Sequence, residues 1–219
     1  MSAAETLALL GGPKVKTTPY GKGFKHDVET EIAALRRRME AGPLPLVKGQ
    51  SIMAFRQRVQ ELFGVRCCVP CSSGSAAVHA GLAVLGVGPG DEVITTPLTD
   101  HGTIIGIMQL NAIPVFADIN PNTMMIDAGT IAPRITPRTR VLLPVHNLGC
   151  PTDMTGIMAL AKQHGLKVLE DCAQSWMAEW EHRLVGTFGD IGIYSANESK
   201  HISAGEGGVI LTNDEDLGR

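Results

Sequence analysis

The chain has 219 residues, a formal net charge of −3 and 44% hydrophobic residues, an ordinary globular composition with length enough for a sizeable buried core. So nearly neutral a balance argues against nucleic acid as the main partner, because phosphate binding needs clustered Lys and Arg. No run approaches the roughly 18 apolar residues of a membrane span, and Met1–Glu5 lacks the basic stretch of a secretory signal, so we expect no membrane partner.

Residues 1–26 read as an irregular segment, broken by Gly11-Gly12-Pro13 and Pro19. Asp27 is placed to cap a helix over about 28–41, where Val28, Ile32, Leu35 and Met39 recur at helical spacing. Its Arg36-Arg37-Arg38 cluster reads as a solvated face. Gly42-Pro43-Leu44-Pro45 ends that helix, and a second is expected from Ser51 as N-cap to Gly64. Then strands and helices alternate. Strands are expected at Arg66 to Pro70, Glu92 to Thr96, Ile113 to Ala117, Val141 to Val145 and Lys167 to Glu170. Helices are expected at Ser75 to Leu85, Thr103 to Leu110 and, capped by Asp153, about 154–164. After Glu181 short strands, Ile191 to Tyr194 and Gly208 to Thr212, follow without a full helix between them. The pattern predicts an α/β fold, a three-layer αβα arrangement with a mostly parallel sheet, as one domain over 27–219.

Five cysteines, Cys67, Cys68, Cys71, Cys150 and Cys172, make an odd count with predicted burial, which points to reduced thiols in a cytoplasmic protein. Cys67-Cys68-x-x-Cys71 lacks the second ligand pair of a zinc site, so no metal is expected.

Three stretches carry chemistry. Cys71-Ser72-Ser73-Gly74-Ser75-Ala76-Ala77 joins a predicted strand to a predicted helix. A helix N-terminus offers unpaired N–H groups and partial positive charge to a phosphate, Gly74 allows close approach, and Ser75 adds a hydroxyl. The run is not a GxGxxG fingerprint, so a dinucleotide-binding oxidoreductase is poorly supported. Asp171 ends a buried-type strand, the place where open α/β sheets bind ligands, and Gln174 follows three residues on. Lys200 lies five residues after Ser195 and shortly before Gly205-Glu206-Gly207-Gly208. A nucleophilic amine, a carboxylate and an anion cradle are what pyridoxal 5′-phosphate requires: the acid holds the ring nitrogen's proton and the lysine receives the aldehyde.

In these residues the chain resembles the DegT/StrS family of pyridoxal-phosphate-dependent sugar aminotransferases, of the aspartate-aminotransferase-like fold (fold type I). The resemblance runs from Leu7-Ala8-Leu9-Leu10-Gly11-Gly12-Pro13 through Gly88-Pro89-Gly90-Asp91-Glu92 and His146-Asn147-Leu148-Gly149-Cys150-Pro151 to Glu170-Asp171-Cys172-Ala173-Gln174 and the Lys200 region. It implies that Lys200 holds the cofactor and moves protons, that Asp171 partners the pyridine nitrogen, and that Gln174 contacts the ring hydroxyl. Gly74, Ser75 and Ser195 match phosphate-binding positions, with Ala76 beside them in the cofactor-binding set.

The resemblance also implies a homodimer. It implies an amino donor, glutamate or glutamine, and an acceptor keto group on a nucleotide-linked sugar or cyclitol. Two features depart from the family. Its members stack an aromatic side chain on the cofactor ring where this chain has Asp100, with His101 the nearby candidate for that role. Family chains also carry a C-terminal small domain, so this chain reads as their cofactor-binding large domain, a truncated form. The rival expectation is a remnant that keeps the fold and at most binds the cofactor.

Overall fold

The structure, a computed structural model, describes residues 12–13, 26–43 and 49–219. The expected irregular segment 1–26 falls almost wholly outside the described residues. So does the end of the Gly42-Pro43-Leu44-Pro45 breaker.

Two helices come first: α1 (Val28–Glu40) and α2 (Gln50–Phe63). As expected, Asp27 caps α1, its side chain accepting from the Thr30 N–H. The Val28, Ile32, Leu35 and Met39 stripe is exposed along its whole length. The N-cap of α2 is Gly49, without a side-chain bond, and not Ser51. Gln50 and Ser51 instead supply its first turn. Gly64 closes the helix in the left-handed region, as glycine readily does.

The strand–helix alternation follows as β1 (Cys67–Cys71), α3 (Gly74–Val84), β2 (Glu92–Thr95), α4 (His101–Met108), β3 (Ile113–Phe116), α5 (Ala128–Ile131), β4 (Thr139–Leu143), α6 (Met154–His164) and β5 (Lys167–Asp171). Then come a small hairpin, β6 (Glu179–Trp180) and β7 (Arg183–Leu184), and the last two strands, β8 (Ile191–Ser195) and β9 (Gly208–Thr212). Most expected boundaries move by at most one residue, and those of α4 and β4 move by two. The α4 helix starts two residues early, because the Asp100 side chain accepts the Gly102 N–H and caps it there. The β4 strand ends at Leu143, and Val145 keeps only an isolated bridge to Asp171.

Seven strands form one sheet in the order β1-β9-β8-β5-β4-β2-β3. Only β9 runs against the rest, pairing antiparallel with both β1 and β8, while β8, β5, β4, β2 and β3 pair parallel. The central strands β2, β4, β5, β8 and β9 are buried on both faces, so their side chains alternate between two cores. On one face Val141, Leu143, Leu169, Ile191, Ile193 and Ile210 pack under α3 and α4. On the other, Leu142 and Val168 pack under α6, and Tyr194, Val209 and Leu211 pack against α2 and Trp176. Each fully buried Leu or Ile of this kind stabilises the fold by about 1.5–3 kcal/mol. Trp176, Tyr194 and Phe63 form an aromatic trio with ring centroids 4.5–6.1 Å apart. The Trp176 indole N–H donates to the Ser195 carbonyl and so ties the end of β8 to this core.

The five cysteines are free, and Cys68 and Cys172 are buried as expected, but Cys150 is exposed and Cys67 and Cys71 are half-buried. Burial pushes the Cys68 thiol up to about 11. Among the described residues no helix is long and apolar enough to cross a membrane.

Candidate active site

Two neighbouring parallel strands, β5 and β8, end side by side, with Asp171 opposite Ile193. The N-termini of α3 and α4 meet them at the same sheet edge, and a cavity of about 250 Å³ opens there. Its lining includes Gly74, Ser75, Asp171, Gln174, Ser195 and Lys200. Six of the seven sequence-predicted positions therefore converge, although they lie far apart in the chain. The seventh, Ala76, does not line the cavity: its N–H is taken by the Ser73 hydroxyl, which caps α3.

The cap leaves the first N–H groups of α3, those of Gly74 and Ser75, without protein partners among the described residues. A Cβ at Gly74 would stand 2.8 Å from the Ser195 Cβ, so only glycine lets this helix start approach the end of β8. Ser195 is buried, and its Oγ accepts the Asn197 N–H at 3.3 Å while keeping its own proton.

Asp171 is the electrostatic centre. It is buried, at 3% exposure. Its Oδ2 accepts from the Thr103 hydroxyl at 2.7 Å and its Oδ1 from the Ala173 N–H at 3.0 Å. Burial pushes its carboxyl above the ordinary aspartate range, an effect that the Thr103 and Ala173 bonds and the charges of His146 and Lys200 only partly offset. Among the described residues no Lys or Arg side chain forms an ion pair with it. A buried acid that opens into a cavity without a paired cation suits a ligand bearing a protonated ring nitrogen.

Gln174 is held by the Leu148 N–H, which its Oε1 accepts at 3.1 Å, so the amide NH2 is the end left over. Lys200 sits in a loop shaped by Asn197. The Asn197 Oδ1 accepts from Ser199, its carbonyl accepts the Lys200 N–H, and its Nδ2 donates to Glu206 at 2.8 Å. Asn197, Glu206 and Thr103 line the cavity but were not singled out from sequence. Asparagine's habit of bonding nearby backbone was the available signal for the first. Asp100 also lines the cavity, and His101 does not: its ring is exposed, 3.5 Å from Asp100 Oδ1.

Behind Asp171 lies a closed polar knot. The Glu170 carboxylate, fully buried, accepts N–H groups from Gly186, Phe188 and Gly189 at 2.7–2.8 Å. It also faces His146 Nε2 at 3.3 Å. His146 Nδ1 accepts the Thr152 N–H, so the ring proton sits on Nε2 and points to Glu170. Together with Cys172 these side chains have the composition of a metal site. Their lone pairs are already engaged, and burial pushes the Cys172 thiol well up, away from the thiolate a metal needs.

An open, mostly parallel α/β sheet with a phosphate-type helix start, a buried acid and a lysine around one cavity is the arrangement of a fold type I aminotransferase domain. The chain belongs to the DegT/DnrJ/EryC1/StrS aminotransferase family, which matches residues 25–219. It is 40% identical over 200 residues to the UDP-N-acetyl-3-dehydro-alpha-D-glucosamine 3-aminotransferase of Acidithiobacillus ferrooxidans, covering 88% of this chain and 54% of that one. It is 34% identical over 222 residues to the L-glutamine:2-deoxy-scyllo-inosose aminotransferase of Streptomyces lividus, covering 99% and 52%. Among solved structures, NtdA of Bacillus subtilis with bound cofactor PMP superposes with a TM-score of 0.81 at 29% identity, covering 93% of this chain and 48% of that one. The chain thus spans about half the length of the relatives it matches.

Proposed function

We propose that residues 27–219 form the cofactor-binding domain of a pyridoxal-phosphate-dependent aminotransferase. The donor is glutamate or glutamine, and the acceptor is a keto group on a nucleotide-linked sugar or a cyclitol. The observation that carries this reading is the buried Asp171 carboxylate, without a Lys or Arg ion pair among the described residues, opening into the same cavity as Lys200 and the start of α3. Bound pyridoxal phosphate supplies an electron sink, a ring that draws off the charge developing on the substrate carbon next to nitrogen.

The chain's own groups then divide the work. Gly74 and Ser75 N–H groups and the Ser75 and Ser195 hydroxyls bind the phosphate at the positive end of α3. Asp171 holds a proton at the ring nitrogen, and its depth in the fold keeps water from competing for that charge. The Gln174 NH2 donates to the ring's phenolic oxygen. Lys200 Nζ takes and returns the proton that moves during transfer of the amino group. Asp100 stands where relatives of this type carry a stacking aromatic side chain; here it lines the cavity and caps α4. The reading includes a cytoplasmic homodimer.

The test loads the chain with pyridoxal phosphate, reduces it with borohydride and maps the adduct by peptide mass spectrometry. The added mass is expected on the peptide carrying Lys200 and is absent in Lys200→Ala. Labelling elsewhere, or undiminished labelling in the variant, refutes the assignment. Adding glutamate or glutamine before reduction separates an active enzyme from a non-catalytic remnant. Only the active enzyme loses its lysine-linked cofactor.

A further inference from the structure

The buried Asp171 carboxylate is held by a chain of hydroxyls that begins in the cavity. Thr103, at 3% exposure, brings its Oγ1 to 2.7 Å from Asp171 Oδ2. A carboxylate only accepts, so the single hydroxyl proton of Thr103 is committed to it. Thr103 Oγ1 also lies 2.9 Å from Thr99 Oγ1. With the Thr103 proton already used, this second bond has one sense: Thr99 donates. Thr99 lines the cavity. The order Thr99 to Thr103 to Asp171 polarises each bond in turn and strengthens the last. The Ala173 N–H on Oδ1 completes the grip, one donor on each oxygen, and fixes the plane of the carboxylate.

The backbone is built to deliver Thr103 to this spot. On α4 two glycines flank it on the face toward α3. A Cβ at Gly102 would meet Ser75 Oγ at 2.5 Å, and one at Gly106 would meet Val78 Cγ1 at 2.6 Å and the His79 backbone nitrogen at 3.1 Å. A side chain at Gly106 would press α4 away from α3 and draw the hydroxyl from the acid, and one at Gly102 would displace the Ser75 hydroxyl. The capping bond that the Gly102 N–H donates to Asp100 Oδ1 sets the angular position of the same turn.

We infer that Thr103, polarised by Thr99, is a positioning residue that holds Asp171 in the orientation and charge state required at the cofactor's ring nitrogen, an inference that rests on the proposed function. Protonation of Asp171 would reverse the chain: the acid would donate to Thr103, Thr103 to Thr99, and the Thr99 proton would turn toward the cavity. The acid's charge is thereby coupled to a hydroxyl at the cavity wall.

The experiment compares wild type with Thr103→Val, Thr103→Ser and Thr99→Val. The first readout is the carbon-13 carboxyl titration of Asp171 in the cofactor-free chain. The other titratable groups around Asp171 are His146, Glu170, Cys172, Lys200, Asp100 and Glu206, and none is changed. Thr103→Val, nearly isosteric, is expected to move the Asp171 titration to higher pH, and Thr103→Ser to restore it. Thr99→Val, which keeps the Thr103 bond but removes its polarising donor, gives a smaller shift in the same direction. It carries the test if circular dichroism shows the Thr103→Val chain unfolded.

The second readout is affinity for pyridoxal phosphate, expected to fall on the order of tenfold in Thr103→Val, the loss of one charge-assisted hydrogen bond. Titrations and affinities indistinguishable from wild type in Thr103→Val and Thr99→Val overturn the inference and leave the functional reading standing. A wild-type chain that takes up no pyridoxal phosphate overturns both.

Discussion

Replacing Glu170 by Gln removes a charge and swaps one acceptor for a donor in a site closed to bulk solvent. The side chain is fully buried and receives four N–H groups: Phe188 and Gly189 on Oε1, Gly186 and His146 on Oε2. An amide offers a single acceptor oxygen. Whichever way it turns, its NH2 faces two of those donors. The His146 ring offers no escape, because its Nδ1 is occupied by the Thr152 N–H and its proton stays on Nε2. Two buried donors left unpaired cost roughly 1–3 kcal/mol each. The two bonds that survive change from charge-assisted to neutral and lose about half their strength. The sum, about 4–9 kcal/mol, is a large part of the 5–15 kcal/mol typical of a whole domain. Urea unfolding followed by Trp fluorescence measures it, since Trp176 reports on the adjoining core. The loop 186–189 should also exchange its amide hydrogens faster, as its three anchored N–H groups lose their common acceptor. A loss below about 1 kcal/mol, with exchange unchanged, would show that the loop is held by something other than Glu170.

Gly106→Ala should lower stability although alanine favours helix by about 1 kcal/mol. The new methyl would press on Val78 and on the His79 backbone, an overpacking cost of about 1–3 kcal/mol, and a raised melting temperature would contradict the close α3–α4 contact. Glu92 supplies a pH signature. Its carboxyl is pulled below the ordinary glutamate range, first by the Thr136 hydroxyl and then by Arg138, against the opposing effect of burial. A folded-state value below the unfolded one contributes stability that is complete above the ordinary value, about 4.3, and is lost as pH falls through the lowered one. The stability gap between wild type and Glu92→Gln should therefore be widest at neutral pH and close in acid. A gap that is constant from about pH 7 to pH 3 would refute the linkage.

The parts of the site that were legible in the sequence are those whose chemistry is local. A serine- and glycine-rich step from strand to helix is a place to expect an anion cradle, and Gly74 and Ser75 line the cavity. A strand's carboxyl end marks a ligand position, and Asp171 is there. Boundaries were less legible. Ser51 looked like a cap, yet the N-cap of α2 lies two residues earlier at Gly49, because cap preference is a weak prior that neighbouring structure overrides. The α5 helix is four residues long, too short for any periodicity, and its signal was the pair Asp127 and Thr130 that cap one another. What sequence could not reveal is orientation. Asp171 takes its direction from Thr103, 68 positions away, and Glu170 takes its fourth donor from His146, 24 positions away. No spacing rule links such pairs, because their separation in the chain is set by whole strands and helices, not by the pitch of one. The small residues that make the contacts possible, Gly102 and Gly106 on α4 and Gly74 on α3, read in sequence as weak helix formers. In the fold they are the points where two helices and a strand end come close enough for side chains of one or two carbons to touch, and the charge at the centre of the cavity depends on that closeness.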